Sequence, residues 1–178
     1  MFLNPQKIVE FNIQILPGMK VVDFGCGRGD FALYAARSAG IFGKVYAVDI
    51  KKEALEVLKN AARRLNLNNI ETIRANAEKP FSTALKENSI QCIILSNILH
   101  SVENKENLLA EIKRILEPDG KVYVIDWEKN NKKFGPEGGK RLSREETKNL
   151  FEQNGFKYEK IFSAGEAHYG ITFKIKLK

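Results

Sequence analysis

The sequence predicts a doubly wound α/β fold, in which helices cover both faces of a mostly parallel, seven-stranded sheet whose last strand is antiparallel. Two observations support this prediction. Short β-branched runs alternate with amphipathic helical segments from residue 21 to residue 126, which is the pattern of βαβ units. The chain then ends in two strands joined by a short link, and such a pair forms an antiparallel hairpin at a sheet edge.

The first elements have clear boundary signals. Asn4 can cap a helix and Pro5 suits the first helical position, so we predict a helix from there to about residue 15. Pro17-Gly18 then stops it. An apolar strand at 21–24 and a helix near 29–39 follow.

The middle of the chain continues this alternation. Its patterns predict strands at 44–48, 70–74, 90–96 and 120–126, helices near 51–66 and 103–116, and a short helical or turn segment around 81–87. The Ala and Leu residues of the helix near 51–66 recur on one face, so this helix packs against the sheet.

The C-terminal part opens with a capping box of Ser143 and Glu146, and the helix that it starts ends at Asn154-Gly155. Strands near 156–163 and 168–177 follow. Alternation along the last strand predicts one apolar face, made of Tyr169, Ile171, Phe173, Ile175 and Leu177, and one more polar face, made of His168, Thr172, Lys174 and Lys176.

The turn after the first strand is the most informative motif. Gly25, Gly27 and Gly29 let the backbone turn tightly and let a ligand approach N–H groups, beside the N-terminus of the next helix. Such a loop suits a dinucleotide or S-adenosylmethionine, or is a simple turn. A dinucleotide fingerprint requires Gly or Ala where this chain has Asp30. A carboxylate repels a pyrophosphate and tolerates the cationic methyl donor, which favours S-adenosylmethionine.

Asp49 is the second element of this motif. It ends a short β-branched run and follows Gly25 by 24 positions, close to the spacing at which an acid meets ribose hydroxyls. The alternative is an exposed acid that caps the helix beginning near Lys51, and the two roles are compatible.

With these blocks the chain resembles the class I S-adenosylmethionine-dependent methyltransferases. Further matching blocks lie at 73–80, 90–102, 116–122, 141–143 and 154–156. The resemblance implies a Rossmann-like sheet that ends in a reversed seventh strand, and methyl transfer from S-adenosylmethionine. The most similar subgroup is that of small-molecule methyltransferases of the quinone-biosynthesis type. Because this subgroup is diverse in substrate, it predicts no quinone.

The resemblance also implies a set of cofactor-binding residues: Asp23, Gly25, Cys26, Gly27, Asp49, Ile50, Asn76, Ala77 and Ser96. Family members usually have Asp-Ala where this chain has Asn76-Ala77, and the acid accepts a hydrogen bond from the adenine amino group. An Asn oxygen can accept the same bond without charge assistance, so we expect weaker adenine recognition. Asn97 is a further candidate for contact with the methionine end of the cofactor.

His100 is the candidate catalytic residue. It follows the fourth strand, where the family binds substrate, and a general base is needed only if the accepting atom loses a proton during transfer. The alternative for His100 is a helix-start or packing role, and His168 is expected to be structural. Trp127 ends the fifth strand and either stacks on a substrate or fills the core.

Composition limits the organisation and the partners. The 178 residues suit a single domain, divided into an N-terminal helix (1–18), a cofactor-binding core (19–127), a mobile substrate-side loop (128–142) and a helix with a C-terminal hairpin (143–178). The chain shows no signal peptide or membrane-spanning run, so a cytoplasmic location is expected. The two cysteines predict no disulfide or metal site, and Cys26 is interpreted as a small loop residue rather than a nucleophile.

A net charge of +7 raises the alternative of a nucleic-acid methyltransferase. Charges of both signs alternate along the helices, and the basic clusters lack interleaved aromatic residues, so a small-molecule acceptor is favoured. A third hypothesis is a non-catalytic adaptor that binds S-adenosylmethionine. The sequence leaves the acceptor and the oligomeric state open.

Overall fold

The computed structural model describes residues 3–131, 133–136 and 141–176. The helices are α1 (Pro5–Phe11), α2 (Asp30–Ala39), α3 (Lys52–Arg64), α4 (Lys105–Ile115) and α5 (Arg144–Gln153). The strands are β1 (Lys20–Phe24), β2 (Lys44–Asp49), β3 (Ile70–Arg74), β4 (Ile90–Ser96), β5 (Leu116–Trp127), β6 (Phe156–Ser163) and β7 (His168–Ile175).

The strands form one sheet in the order β3-β2-β1-β4-β5-β7-β6. Neighbouring strands from β3 to β5 pair in parallel, whereas β7 is antiparallel to both β5 and β6. The predicted doubly wound fold with a reversed last strand is therefore confirmed.

Alternate residues of β1 enter two cores on opposite faces of the sheet. Val22 and Phe24 pack in the core that contains α4 and α5, and Val21 packs in the core that contains α1, α2 and α3. Because β1 is covered on both faces, its side chains are apolar with the exception of Asp23 and the exposed first residue, Lys20.

The first helix is shorter than predicted. Asn4 and Pro5 start it as expected, with the Asn4 side chain accepting a hydrogen bond from the Lys7 amide, but it ends at Phe11. The chain then turns inward, so that Ile13 is buried and the Gln14 amide donates to the Tyr123 hydroxyl at 3.0 Å. A tertiary contact therefore ends the helix before the Pro17-Gly18 signal.

The last strand is buried on both faces. Its predicted apolar face is buried at Tyr169, Ile171 and Phe173, but His168 and Thr172 on the other face are also buried. The reason is that β7 lies between β5 and β6, so the edge strand of the hairpin is β6. Leu177 lies outside the described residues.

Residues 81–87 form turns and no helix, and a buried carboxylate holds them. Glu111 in α4 accepts hydrogen bonds from the Thr83 hydroxyl at 2.5 Å and the Phe81 amide at 3.3 Å, and from Arg114 Nε at 2.8 Å. Burial alone would raise the pKa of Glu111, but the hydrogen bonds from Arg114 and Thr83 outweigh it and lower the pKa.

We expect Glu111→Gln to lower the free energy of unfolding by about 3 kcal/mol, because Arg114 loses its buried partner. A lowered folded-state pKa stabilises the protein above the unfolded-state pKa, and this stabilisation is lost as pH falls through the folded-state value. The free energy of unfolding, measured with urea at neutral and acid pH, should therefore fall less on acidification in the variant than in the unaltered protein. The exposed Glu106→Gln, in the same helix, is the control, and equal unfolding curves for the two variants would contradict the assignment.

Candidate functional site

A cleft of about 330 Å³ opens at the carboxyl ends of β1, β2 and β4. The strand order changes direction at β1, so the connection after β1 covers one face and the connection after β4 covers the other. Ligands of doubly wound sheets bind in the crevice left at such a point. The walls of this cleft are Gly25, Gly27, Val48, Asp49, Ile50, Lys51, Ala54, Ala75, Asn76, Ala77, Glu78, Asn97, Ile98, Ser101 and Val102.

The loop after β1 needs its glycines for two different reasons. All three have left-handed backbone, with φ of 65° at Gly25, 53° at Gly27 and 89° at Gly29. A Cβ at Gly25 would lie 2.5 Å from Ile98 Cδ1, so packing excludes a side chain there. A Cβ at Gly27 would meet no protein atom within 4 Å, because this position borders the cleft.

Asp49 joins the two loops that form the floor of the cleft. Its Oδ2 accepts a hydrogen bond from the Gly27 amide at 2.9 Å, and its Oδ1 accepts one from the Lys51 amide at 2.8 Å. Lys51 is the N-cap residue that precedes α3, so this second bond holds the turn into the helix and caps no amide within it. A carboxylate has about four acceptor sites, so Asp49 retains capacity for ribose hydroxyls.

Asn76 and Ala77 form the wall after β3. The Asn76 Oδ1 accepts a hydrogen bond from the Glu78 amide at 2.9 Å, which shapes the turn. Glu78 in turn accepts hydrogen bonds from the amides of Glu103 and Asn104, at 3.1 and 2.7 Å, just before α4. Glu78 is a wall residue that the sequence reasoning missed. The adenine contact of Asn76 stays a prediction.

Three predicted cofactor-binding residues lie outside the walls of this cleft. Asp23 is only 2% exposed, and burial raises its pKa to about 8, so its carboxyl group is largely protonated at neutral pH. Burial also raises the pKa of the Cys26 thiol, so it carries no thiolate, which fits its interpretation as a small loop residue. Ser96 is half-buried at the end of β4.

A second cavity of about 300 Å³ lies at the ends of β4, β5 and β7. It is lined by Leu3, Asn97, Trp127, Phe134, Gly135, Glu166, Ala167 and His168. Most of these side chains are apolar or aromatic, as in sites for small organic molecules. Asn97 belongs to the walls of this cavity and of the cleft.

Trp127 is the largest side chain of this second cavity. Its ring lies against His168, with 4.0 Å between ring centroids, and Gly135 approaches it so closely that a Cβ would lie 2.6 Å from the indole. Neither ring nitrogen of His168 has a hydrogen-bond partner among the described residues. Burial lowers the pKa of His168, so the imidazole is neutral at neutral pH.

Arg141 fixes the segment that carries Phe134 and Gly135. Its buried guanidinium lies over the Trp127 ring and donates to the backbone carbonyls of Glu128, Asn131, Phe134 and Pro136. Arg141 lies in a block that resembles the family, but nothing in the sequence indicates this role. Residues 132 and 137–140 of the predicted mobile loop lie outside the described residues.

His100 is placed beside a carboxylate and borders neither cavity. Its Nδ1 is 3.6 Å from Asp126 Oδ1, beyond hydrogen-bond distance, and its side chain is 19% exposed. The other Asp126 oxygen accepts a hydrogen bond from the Leu99 amide at 3.1 Å. A basic role for His100 stays a prediction.

A family model described as a methyltransferase domain matches residues 15–168 of the chain. The chain belongs to this methyltransferase family. It is 35% identical over 114 residues to the ubiquinone/menaquinone biosynthesis C-methyltransferase UbiE of Haemophilus ducreyi, covering 63% of this chain and 42% of the relative. It is 30% identical over 115 residues to the demethylmenaquinone methyltransferase of Oceanobacillus iheyensis, covering 64% and 47%. The chain thus spans less than half the length of these curated relatives.

A solved structure extends the similarity over nearly the whole methyltransferase. The crystal structure of a SAM-dependent methyltransferase from Aquifex aeolicus superposes with a TM-score of 0.89 at 26% identity, covering 98% of this chain and 90% of that one. The predicted family and the predicted cofactor, S-adenosylmethionine, are confirmed by these similarities.

The walls of the methyltransferase cleft fit S-adenosylmethionine. Gly27 leaves space at its Cβ position, and Asp49 holds acceptor capacity beside it. Six of the nine predicted residues lie together there, namely Gly25, Gly27, Asp49, Ile50, Asn76 and Ala77. Among the described residues no helix is long and apolar enough to cross a membrane, and no three side chains are grouped to hold a metal ion.

We expect Gly27→Ala to abolish most binding of S-adenosylhomocysteine, because the added methyl group occupies the cleft. Gly18→Ala is a matched control, since Gly18 also has left-handed backbone and no atom within 4 Å of a Cβ, but borders no part of the cleft. Titration calorimetry should show loss of binding in the first variant only. Similar losses of binding in both variants would indicate that backbone strain, and not occupation of the cleft by the added methyl group, is the cause.

We expect Asp49→Ala to weaken S-adenosylhomocysteine binding at least tenfold, because it removes the ribose acceptor and frees the Gly27 amide. Glu71→Ala is the control, since this exposed carboxylate lies near the start of the adjacent strand β3, away from the cleft. Calorimetry on both variants checks the prediction, and an unchanged affinity of Asp49→Ala would disprove the ribose assignment.

Proposed function

We propose that this chain transfers a methyl group from S-adenosylmethionine to a small molecule bound in the second cavity, which we name the acceptor cavity. The observation that carries the proposal is the shared wall: Asn97 borders both the cleft and the acceptor cavity. A donor in one and an acceptor in the other would meet beside this residue.

In this reaction the main task of the protein is to align the reacting atoms. When bound, S-adenosylmethionine supplies a methyl group on a positively charged sulfur, which is already an activated leaving group. The protein therefore needs to bring the accepting atom into line and exclude water. Trp127 and Phe134 line the acceptor cavity with aromatic surface, and Arg141 keeps the segment of Phe134 in place.

The size and lining of the acceptor cavity favour a small and largely apolar acceptor. The named relatives act in ubiquinone and menaquinone biosynthesis, but the chain spans less than half of their length, so we do not transfer their acceptor to it.

We propose that residues 128–142 form the substrate side of a single methyltransferase domain. Two free, buried cysteines are compatible with a cytoplasmic location, which we also propose.

The basic residues support a small molecule over a nucleic acid. Lys44 pairs with Glu71, and Lys129 pairs with Glu146. Lys121 and Lys174 both pair with Glu159. These four lysines are paired with carboxylates, whereas binding to phosphates requires basic side chains that are available to the nucleic acid.

The proposal is tested in two steps. Calorimetry should show binding of S-adenosylmethionine and S-adenosylhomocysteine and none of NAD. Trp127 is the only tryptophan of the chain, so its fluorescence then reports on small molecules that enter the acceptor cavity. Compounds that change this fluorescence should accept label from methyl-labelled S-adenosylmethionine.

Trp127→Phe is the control for the fluorescence screen, because it keeps an aromatic side chain and removes the signal. Binding of NAD alone would overturn the assignment of the cofactor. Transfer of label to RNA and to none of the small molecules would overturn the assignment of the acceptor. Binding of the donor without any transfer would favour the adaptor hypothesis.

A further inference from the structure

Asn97 occupies an unusual position at the boundary of the two sites. It follows β4 directly, and its φ of 54° is left-handed, a conformation that residues with a Cβ seldom adopt. Its amide donates to the Ile125 carbonyl at 2.8 Å. Asn88 shares this backbone conformation, so what distinguishes Asn97 is its position at the boundary of the two cavities.

Asp126 holds the chain on both sides of this boundary. This buried carboxylate accepts hydrogen bonds from the Leu99 amide at 3.1 Å and from the Trp127 amide at 2.7 Å. It therefore fixes the chain that leaves β4 relative to the chain that leaves β5. The side chain of Asn97 is held at the boundary because the backbone on both sides of it is fixed.

The amide oxygen of Asn97 lacks a partner. Oδ1 is buried and has no hydrogen bond among the described residues, which is costly for a carbonyl removed from water. The terminal torsion of an Asn side chain is broad, so the amide can turn Oδ1 towards either cavity without backbone movement. A ligand with a hydrogen-bond donor at the boundary would satisfy it.

We propose that Asn97 is a catalytic residue whose Oδ1 accepts a hydrogen bond from the methyl-accepting group, which is a hydroxyl or an amine. The proposal rests on the proposed function, since a methyl group that moves between the two cavities passes this side chain. The hydrogen bond would direct the lone pair of the oxygen or nitrogen towards the donor. That lone pair forms a bond to the methyl carbon while the carbon–sulfur bond breaks, and its electron pair leaves on the sulfur of S-adenosylhomocysteine. An amide oxygen is a poor base, so the methylated product loses its proton to solvent after the transfer. Carbon nucleophiles and thiolates offer no such hydrogen bond.

Sinefungin tests this role before any acceptor is known. In this analogue of S-adenosylmethionine an amine-bearing carbon replaces the methylated sulfur, so an ammonium group takes the place of the methyl group. S-adenosylhomocysteine has neither group. The ratio of the two dissociation constants, measured by calorimetry, therefore reports on a hydrogen-bond acceptor at the transfer position and cancels effects on the rest of the cleft.

We expect Asn97→Gly to weaken sinefungin binding about tenfold more than it weakens S-adenosylhomocysteine binding, the effect of one hydrogen bond to a charged group. Glycine suits left-handed backbone, so this variant removes the side chain without added strain. Asn97→Asp should bind sinefungin at least as tightly as the unaltered protein. The control is Asn88→Gly, which lies in left-handed backbone before β4, at the opposite end of that strand.

Three results would overturn the inference. Equal weakening of both ligands by Asn97→Gly would show a structural role alone, and unchanged binding of both would place the amide away from the transfer position. Loss of sinefungin binding in Asn88→Gly would point to a general effect of the substitution. If neither ligand binds the unaltered protein, the proposed function itself fails, and the inference falls with it.

Discussion

Parallel pairing of β1 with β2 on one side and with β4 on the other is the constraint on which the rest of the structure depends. It satisfies the backbone of β1 on both edges and leaves its side chains to enter the two cores alternately. The connections after β1 and β4 must then cover opposite faces, which separates them and leaves a crevice between them. The cleft is thus a product of strand order rather than of any one loop.

Two carboxylates turn this crevice into a shaped site. Asp49 accepts hydrogen bonds from the amides of Gly27 and Lys51, and Asp126 accepts hydrogen bonds from the amides of Leu99 and Trp127. Each joins backbone segments that are distant in sequence. Because the loops are held before a ligand arrives, less conformational entropy is lost on binding.

The sequence was most informative where local chemistry decides the structure. Strand alternation, the Asn4 cap and the spacing from Gly25 to Asp49 are local, and they predicted the fold and the glycine and aspartate walls of the cleft, whereas Asn76 and Ala77 were implied by the family resemblance. The burial of His168, the early end of α1 and the role of Arg141 depend on neighbours distant in the chain, which periodicity does not encode. A strand end does not show which side chain the next turn exposes, so the sequence does not distinguish Ser96 from Asn97.

The binding of Arg141 to backbone carbonyls has an evolutionary consequence. Its partners in the segment from Glu128 to Pro136 are main-chain oxygens, which every amino acid provides. Apart from Gly135, where a Cβ would meet Trp127, and Asn131, whose side chain accepts the Lys133 and Phe134 amides, the path of the segment depends on these main-chain contacts. Substitutions there can alter the shape and polarity of the neighbouring cavity while the cofactor end of the protein stays the same. Such an arrangement lets a lineage acquire new specificities from one scaffold.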